Sequence, residues 1–428
     1  MRTSFNRRQV LKFGVHGLGL LALGQALAGC GGSSGADGTG GSAARGQLSR
    51  IGPLGAPDAN GLRVPPGFTC RVIAQANRPV GNTLFLWHTD PDGGAVYPHP
   101  EGGWIYVSNR EFLPGGVNAI RFDAQGEIVS AYNILPGLLT RINCAGGVTP
   151  WGTWMSCEEW DGGTVWECDP FGIALPQQHL SLGSFAHEAV AVDPATHILY
   201  LTEDQGDGRF YRFVPDTPNV GARPDLSRGR LQVMQVQATQ QEVDTEGSRG
   251  PWSVRWLDVP NPNPAQLPGL PIQPQTPTRQ QVPESTAFDG GEGLWYHEGI
   301  VYFSTKGDRR IWAHDPARDS LRIIYDDFFH PPEPVLDSVD NIVFTPGGDL
   351  IVVEDKSEAN QQAVALTRDG RIFPIIELVG QDGSEVTGPA FSPDGRHFYF
   401  SSQRGPGANG QSGTAGITYC VSGPWFAP

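Results

Sequence analysis

The chain has 428 residues, enough for a large core, and its 39% hydrophobic content excludes both a disordered tail and a membrane bundle. Glycine (57) and proline (37) are abundant while charged residues reach only 18%, a balance that favours turns and strands over long surface helices. The net charge of −15 disfavours nucleic acid as a partner, because a phosphate backbone demands a basic face, and it suits sites that gather cations.

Residues 2–12 hold four basic residues and no acidic one, and a run of small and apolar residues follows over 13–28. This is the layout of an export signal. Asn6-Arg7-Arg8-Gln9-Val10-Leu11-Lys12 looks like a twin-arginine signal, and Leu27-Ala28-Gly29-Cys30 looks like a bacterial lipobox in which Cys30 becomes the lipidated first residue. The expected organisation is a signal over 1–29, a flexible Gly/Ser tether over 30–50 and a folded unit over 51–428. The product is expected to be a periplasmic or cell-surface lipoprotein, monomeric, and held to the membrane only by lipid at Cys30. Export implies an oxidising compartment. Five cysteines follow Cys30: Cys70, Cys144, Cys157, Cys168 and Cys420. Five is odd, so at least one is unpaired. Cys70 and Cys420 lie near the two ends and could tie them together, and Cys157 with Cys168 reads equally as a disulfide or as two buried thiols.

A segment type then recurs: a Gly/Pro/Asp turn, a short aromatic or β-branched strand, and small polar or acidic residues at its end. Tyr106, Trp154, Tyr200, Tyr302, Leu350 and Phe398 mark it, and the steps between them are 48, 46, 102, 48 and 48 residues. Steps of this size fit one four-stranded blade per repeat. The expected fold is an all-β, six-bladed β-propeller, with a strand around 68–73 completing the last blade. The long step holds a Pro- and Gln-rich insertion over 216–286, read as an excursion between blades. Trp104, Trp154, Trp295 and Trp312 read as blade-packing residues.

Acids fall at one end of successive repeats: Glu111, Glu158-Glu159, Glu203-Asp204 and Glu354-Asp355, with Gln403 at the equivalent point of the last unit. Glu188, Glu292, Asp340 and Glu385 open a strand shortly after turns. Blade strands run roughly along the ring axis, so equivalent positions cluster around one mouth of the channel. Carboxylates gathered there cannot stay ionised together without a cation, and hard divalent or trivalent metals are the simplest solution. Taken singly, each acid also reads as a turn cap or a solvated side chain. Of the pair Glu158-Glu159, only one can point into the channel, because side chains alternate along a strand. In the run 143–160, the pair Gly146-Gly147 permits a tight backbone path beside Cys144. Cys144 reads either as a metal-held thiolate or as an ordinary buried thiol, with opposite consequences for its ionisation.

The run from Asn143 to Glu159 resembles the most specific motif of the PhoX family of secreted bacterial alkaline phosphatases. Supporting matches are Asn109-Arg110-Glu111, His187-Glu188, Thr202-Glu203-Asp204 with Tyr211-Arg212-Phe213, Glu292-Gly293, Asp340-Asn341, Glu354-Asp355, and Glu385-Val386-Thr387-Gly388-Pro389 with Gln403. They run in order over roughly 60–425. The resemblance implies a six-bladed propeller with an Fe(III)–Ca2+ cluster at the channel mouth. It makes Cys144 the bridge between irons and Glu159, Glu203, Glu292 and Asp340 the first ligand candidates, followed by Glu385, Glu188, Glu354 and Glu111. The activity implied is metal-assisted hydrolysis of small phosphomonoesters, with Cys144, Glu159 and Lys306 in the catalytic set. One position departs from the family. Where it carries an arginine that contacts the substrate phosphate, two residues before the glutamate matching Glu292, this chain has Gly290. Lys306, Arg404 and Arg110 are the candidate replacements. Two other readings remain: a different hydrolase on the same scaffold, such as a phosphodiesterase or lactonase, and a non-catalytic lipoprotein with structural metals.

Overall fold

The computed structural model describes residues 48–217, 223–264, 276–329, 335–356, 360–406 and 415–426. The twin-arginine segment, the lipobox at Cys30 and most of the tether lie outside the described residues. Leu48, which falls within the range expected for the tether, is fully buried, and its N–H donates to Asp349 Oδ2 at 2.8 Å.

The chain is all-β and propeller-like. After two N-terminal strands, β1 (Leu62–Arg63) and β2 (Thr69–Gln75), it runs through antiparallel meanders. The first is β3 (Pro91–Pro98), β4 (Trp104–Arg110), β5 (Val117–Phe122) and β6 (Ile128–Leu135). The second is β7 (Asn143–Val148), β8 (Trp154–Glu158), β9 (Val165–Cys168) and β10 (Gln177–His179). The third is β11 (His187–Val192), β12 (Leu199–Glu203), β13 (Phe210–Pro215), β14 (Gly229–Val236) and β15 (Trp252–Asp258). Next come β16 (Gly291–His297), β17 (Ile300–Thr305), β18 (Arg310–Asp315) and β19 (Ser320–Asp326), then β20 (Val339–Phe344), β21 (Leu350–Glu354), β22 (Gln361–Leu366) and β23 (Ile372–Leu378). The last is β24 (Val386–Phe391), β25 (His397–Ser402) and β26 (Ile417–Ser422). The first strands β3, β7, β11, β16, β20 and β24 pack side by side in that order, and β24 returns to β3.

The N-terminal strands fill the free edges: β1 pairs with β23, and β2 pairs with β26. This removes two unpaired edges and joins the ends of the fold. The end-to-end disulfide does not form. Cys70 lies opposite Val421, and Arg71 lies opposite Cys420, so the two thiols point to opposite sheet faces. Cys157 and Cys168 are likewise on opposite faces, one packed with Val165 and Tyr211, the other with Ile105 and Trp166. All five described cysteines are free thiols.

The region 216–286 also differs from the expectation of an excursion. Gly229–Val236 is the fourth strand of its own meander, and Trp252–Asp258 is a fifth that pairs with β19 of the next. Part of the insertion thus joins neighbouring sheets. A short helix, α1 (Gln240–Asp244), stands between them behind a capping box made by Thr239 and Glu242.

The core lies between adjacent sheets. Tyr106 faces Tyr399 and Cys420 on one side of β4, while Ile105 and Val107 pack with Trp154 and Trp166 on the other. Both faces of the middle strands are buried, which is why they read as continuous apolar runs. Trp104, Trp154 and Trp312 are buried in these layers, as expected of packing residues. Near the axis the first strands approach very closely. A Cβ on Gly147 would lie 1.8 Å from the Val190 carbonyl oxygen, and one on Gly293 would lie 2.5 Å from the Ile342 nitrogen. Replacing Gly147 by alanine therefore forces β7 away from β11. The expected loss is about 1–3 kcal/mol or more, read as a lower urea midpoint.

Candidate metal centre

Each first strand carries the same irregularity. The pairing register slips just after its opening residues: between Pro91 and Gly94, Asn143 and Gly146, His187 and Val190, Gly291 and Leu294, Val339 and Ile342, and Thr387 and Ala390. Bulges of this kind re-aim side chains and are common beside active sites. The second residue of these strands is Asp92, Cys144, Glu188, Glu292 and Asp340 in turn; the last strand has Thr387 there and Glu385 just before it. All are buried.

A second row sits above. The residues immediately after the second strands are Glu111, Glu159, Asp204, Lys306, Asp355 and Gln403. Each donates its backbone N–H to the residue preceding the neighbouring first-strand pair: Asp90, Ile142, Ala186, Gly290, Ser338 and Glu385 carbonyls, at 2.8–3.2 Å. Six equivalent hydrogen bonds thus hold the two rows together around one mouth.

Three overlapping sets bring their ligand atoms within 4.8 Å of one another: Asp92, Glu111 and Cys144; Cys144, Glu159 and Glu188; and Glu188, Glu292 and Asp340. Cys144 and Glu188 are each shared by two sets, and Cys144 Sγ lies 3.3 Å from Glu188 Oε1. Glu188 Oε2 is buried without a partner among the described residues. Asn109 fixes the Cys144 backbone: its Nδ2 donates to the Cys144 and Ala145 carbonyls at 2.8 and 2.7 Å, and its Oδ1 accepts from Trp154 Nε1 and Ser156 Oγ. Gln403 Nε2 donates to Asp92 Oδ2 at 2.7 Å and also to Glu111.

Electrostatics follow from burial and crowding. Desolvation first, and neighbouring carboxylates second, hold Glu111, Glu188 and Glu385 well above the usual carboxylate range. Burial likewise raises Asp92, Glu292 and Asp340, and it pushes Glu159 up to about 8, with Asp204 adding to the shift. Burial raises the Cys144 thiol too, followed by the charges of Asp92 and Glu188. Without a bound metal, burial and crowding favour the protonated form of each of these groups.

Two cations face the acids. Lys306 Nζ lies 2.7 Å from Glu292 Oε1, 3.3 Å from Asp355 Oδ2 and 4.0 Å from Asp204 Oδ2. Arg404 Nη2 lies 2.9 Å from Glu385 Oε1. Arg110, the third candidate, instead lines a cavity of about 240 Å³ with His88, Asn118 and Asn133. Gly290 has φ +67°, a conformation in which any side chain is strained, and a Cβ there would lie 3.2 Å from Asp204 Oδ1.

Of the expected ligands, Cys144, Glu159, Glu188, Glu292, Asp340 and Glu111 are brought together, with Glu385 beside them. Glu203 and Glu354 are not. Both end a second strand, one residue before the mouth-facing position, so they point the other way. Glu203 accepts from Tyr211 Oη at 2.8 Å, from the Arg209 N–H at 3.1 Å and from Arg279 Nη1 at 3.3 Å. Glu354 accepts from the Asp337 N–H at 2.9 Å and faces Lys356 Nζ at 2.6 Å. Glu158 plays the same part, accepting from Thr140, Arg141 and Thr164. These carboxylates clamp loops. Glu203→Gln is therefore expected to lower stability by about 1–3 kcal/mol in thermal melts while leaving the metal content of the folded protein unchanged. Asp92 was missed because Pro91-Asp92-Gly93-Gly94 has turn composition; the signal was its kinship with Glu292-Gly293, an acid and a glycine at the same place in a first strand.

A propeller-like protein with overlapping thiol and carboxylate sets at one mouth is a metal-capable scaffold. The model of the family described as alkaline phosphatase PhoX matches residues 132–322 and 329–407, and the chain belongs to that family. The structure of Pseudomonas fluorescens PhoX in complex with vanadate, a transition state analogue, aligns with TM-score 0.69 and 17% identity over 88% of this chain and 98% of that one. A gluconolactonase from Xanthomonas campestris aligns with TM-score 0.43 and 14% identity, covering 88% of this chain and 100% of that one. A protein of unknown function from Bacteroides thetaiotaomicron gives 0.47 and 11%, covering 87% and 84%. At 17% identity the likeness to the Pseudomonas fluorescens structure is one of fold. Curated proteins contain no sequence match.

Proposed function

We propose that this protein is a phosphomonoesterase acting outside the cytoplasm, in which six meanders form six blades and the mouth holds iron and calcium. The observation that carries this reading is the chain of three ligand sets linked through Cys144 and Glu188 in a member of the PhoX family. The donors suit such ions. A thiol shared by two sets favours a transition metal, the all-carboxylate set of Glu188, Glu292 and Asp340 favours a hard ion such as calcium, and the unpartnered Glu188 Oε2 is an oxygen ready for a ligand bond.

Ions bound there would supply Lewis acidity toward a phosphoryl oxygen. The chain's own residues do the rest. Asp92, Glu111, Cys144, Glu159, Glu188, Glu292 and Asp340 would hold the ions. Lys306 and Arg404, beside these acids, would offset the charge of an arriving phosphate and orient it, a task Gly290 cannot perform. Asn109 and Gln403 keep Cys144 and Asp92 in register. The leading residues 1–29, the lipid site at Cys30 and the tether would place a monomer at the cell envelope. A panel of p-nitrophenyl phosphate, bis-p-nitrophenyl phosphate and an aliphatic lactone tests the reading. The monoester is expected to turn over fastest; preferential turnover of the diester or the lactone would overturn it.

A further inference from the structure

The upper row contains one reversal of charge. Five of its six positions are Glu111, Glu159, Asp204, Asp355 and Gln403, and the sixth is Lys306. Its ammonium sits among carboxylates from three successive meanders, Asp204, Glu292 and Asp355, at 4.0, 2.7 and 3.3 Å. We propose that Lys306 is a built-in counter-cation: its ammonium closes a cation position formed by Asp204, Glu292 and Asp355, and metal is thereby confined to the sets linked through Cys144 and Glu188.

Geometry supports this in two ways. An ammonium accepts the same oxygen ligands as a hard metal ion, and its 2.7 Å contact to Glu292 is only slightly longer than the about 2.3–2.6 Å of a calcium–oxygen bond. Small side-chain shifts would bring all three carboxylates onto one calcium at the place Nζ now occupies. The placement is also specific. Lys306 follows β17 directly, and its backbone N–H is tied to the Gly290 carbonyl at 2.8 Å, so the ammonium is delivered from a fixed strand end. Gly290, lacking a side chain, leaves Asp204 and Lys306 room to face one another. A covalently attached cation cannot be chelated or exchanged. One cation therefore stays at this flank of the mouth whatever the metal supply, and it offsets part of the negative charge that would repel an arriving anion.

The inference rests on the metal-centre reading but is measured separately from it. Bound metal is counted by mass spectrometry on the full, folded protein after equilibration with calcium alone, for the wild type, Lys306→Met, Lys306→Arg and Asp355→Asn. Lys306→Met keeps the length and removes the charge, and it is expected to hold one more calcium ion per chain than wild type. Lys306→Arg is expected to match wild type. Asp355→Asn, which thins the carboxylates around the ammonium, is also expected to match wild type. An unchanged count in folded Lys306→Met would overturn the proposal. So would loss of one ion in Asp355→Asn, which would show that those carboxylates already hold metal; this arm decides the matter if Lys306→Met does not fold. A wild type without metal would defeat the metal-centre reading itself, and the gain in Lys306→Met would still be read against that baseline.

Discussion

Cys144→Ala is expected to remove bound transition metal and phosphomonoester turnover together, while the protein stays folded. The thiol belongs to two of the three ligand sets, so its loss breaks both at once. It contributes little to packing that alanine would not: it sits at the channel end of β7, flanked by Ala145 and held by backbone bonds from Asn109 that alanine retains. Loss of even an outer partner of a metal ligand costs about 10–100-fold in affinity or activity, so loss of the ligand itself should exceed about 100-fold. Cys144→Ser, an oxygen in place of sulfur, is expected to keep calcium and lose the transition metal. Metal analysis and turnover of both variants, with circular dichroism to verify folding, check this. A Cys144→Ala protein that hydrolyses esters at the wild-type rate would remove the thiol from the account.

The second large effect is a reversal of pH dependence on chelation. In metal-free protein the buried carboxylates favour their protonated form, with Glu159 at about 8 against an ordinary 4.5. A carboxylate raised in the folded state adds stability that is fully present below its unfolded value and is lost as pH rises through the folded one. Chelated protein should therefore melt lower at pH 9 than at pH 5, with the loss spread between the ordinary carboxylate value and about 8 and above. Glu167, held down to about 2 by His179, Thr153, Trp151 and Arg223 despite its burial, acts only below that window. With calcium restored the trend should turn, because the ligands must be deprotonated to bind and binding to the folded state adds stability, about 2.7 kcal/mol at a hundredfold excess over Kd. Melts at pH 5, 7 and 9 with and without chelator check both arms. Chelated protein with the same melting point across that range would mean the acids do not share a buried volume.

The strand repeat and the acids at its ends were legible because both are local patterns: aromatic and β-branched runs after turns, and carboxylates where those runs stop. What could not be read was direction. Whether Glu203 or Asp204 faces the mouth depends on where β12 ends, and a shift of one residue exchanges the faces. The same uncertainty hid that Asp355, and not Glu354, is the mouth-facing residue at the end of β21. Asp92 was hidden by glycines whose true role is close approach between first strands, a long-range demand that mimics turn composition. The cysteine pairings failed for a related reason. Nearness in a sheet does not place two thiols on one face, as Cys70 and Cys420 show. In the insertion, Leu231 and Val233 alternate as strand residues do, but the surrounding proline and glutamine concealed them.

The most direct test of the central claim is metal content by mass spectrometry on protein purified from the cell envelope, with p-nitrophenyl phosphate hydrolysis followed before and after chelation. Iron and calcium together, with turnover lost on chelation and regained with calcium, is the predicted result. Correctly folded protein that holds neither metal and still hydrolyses the ester at an unchanged rate would contradict the account.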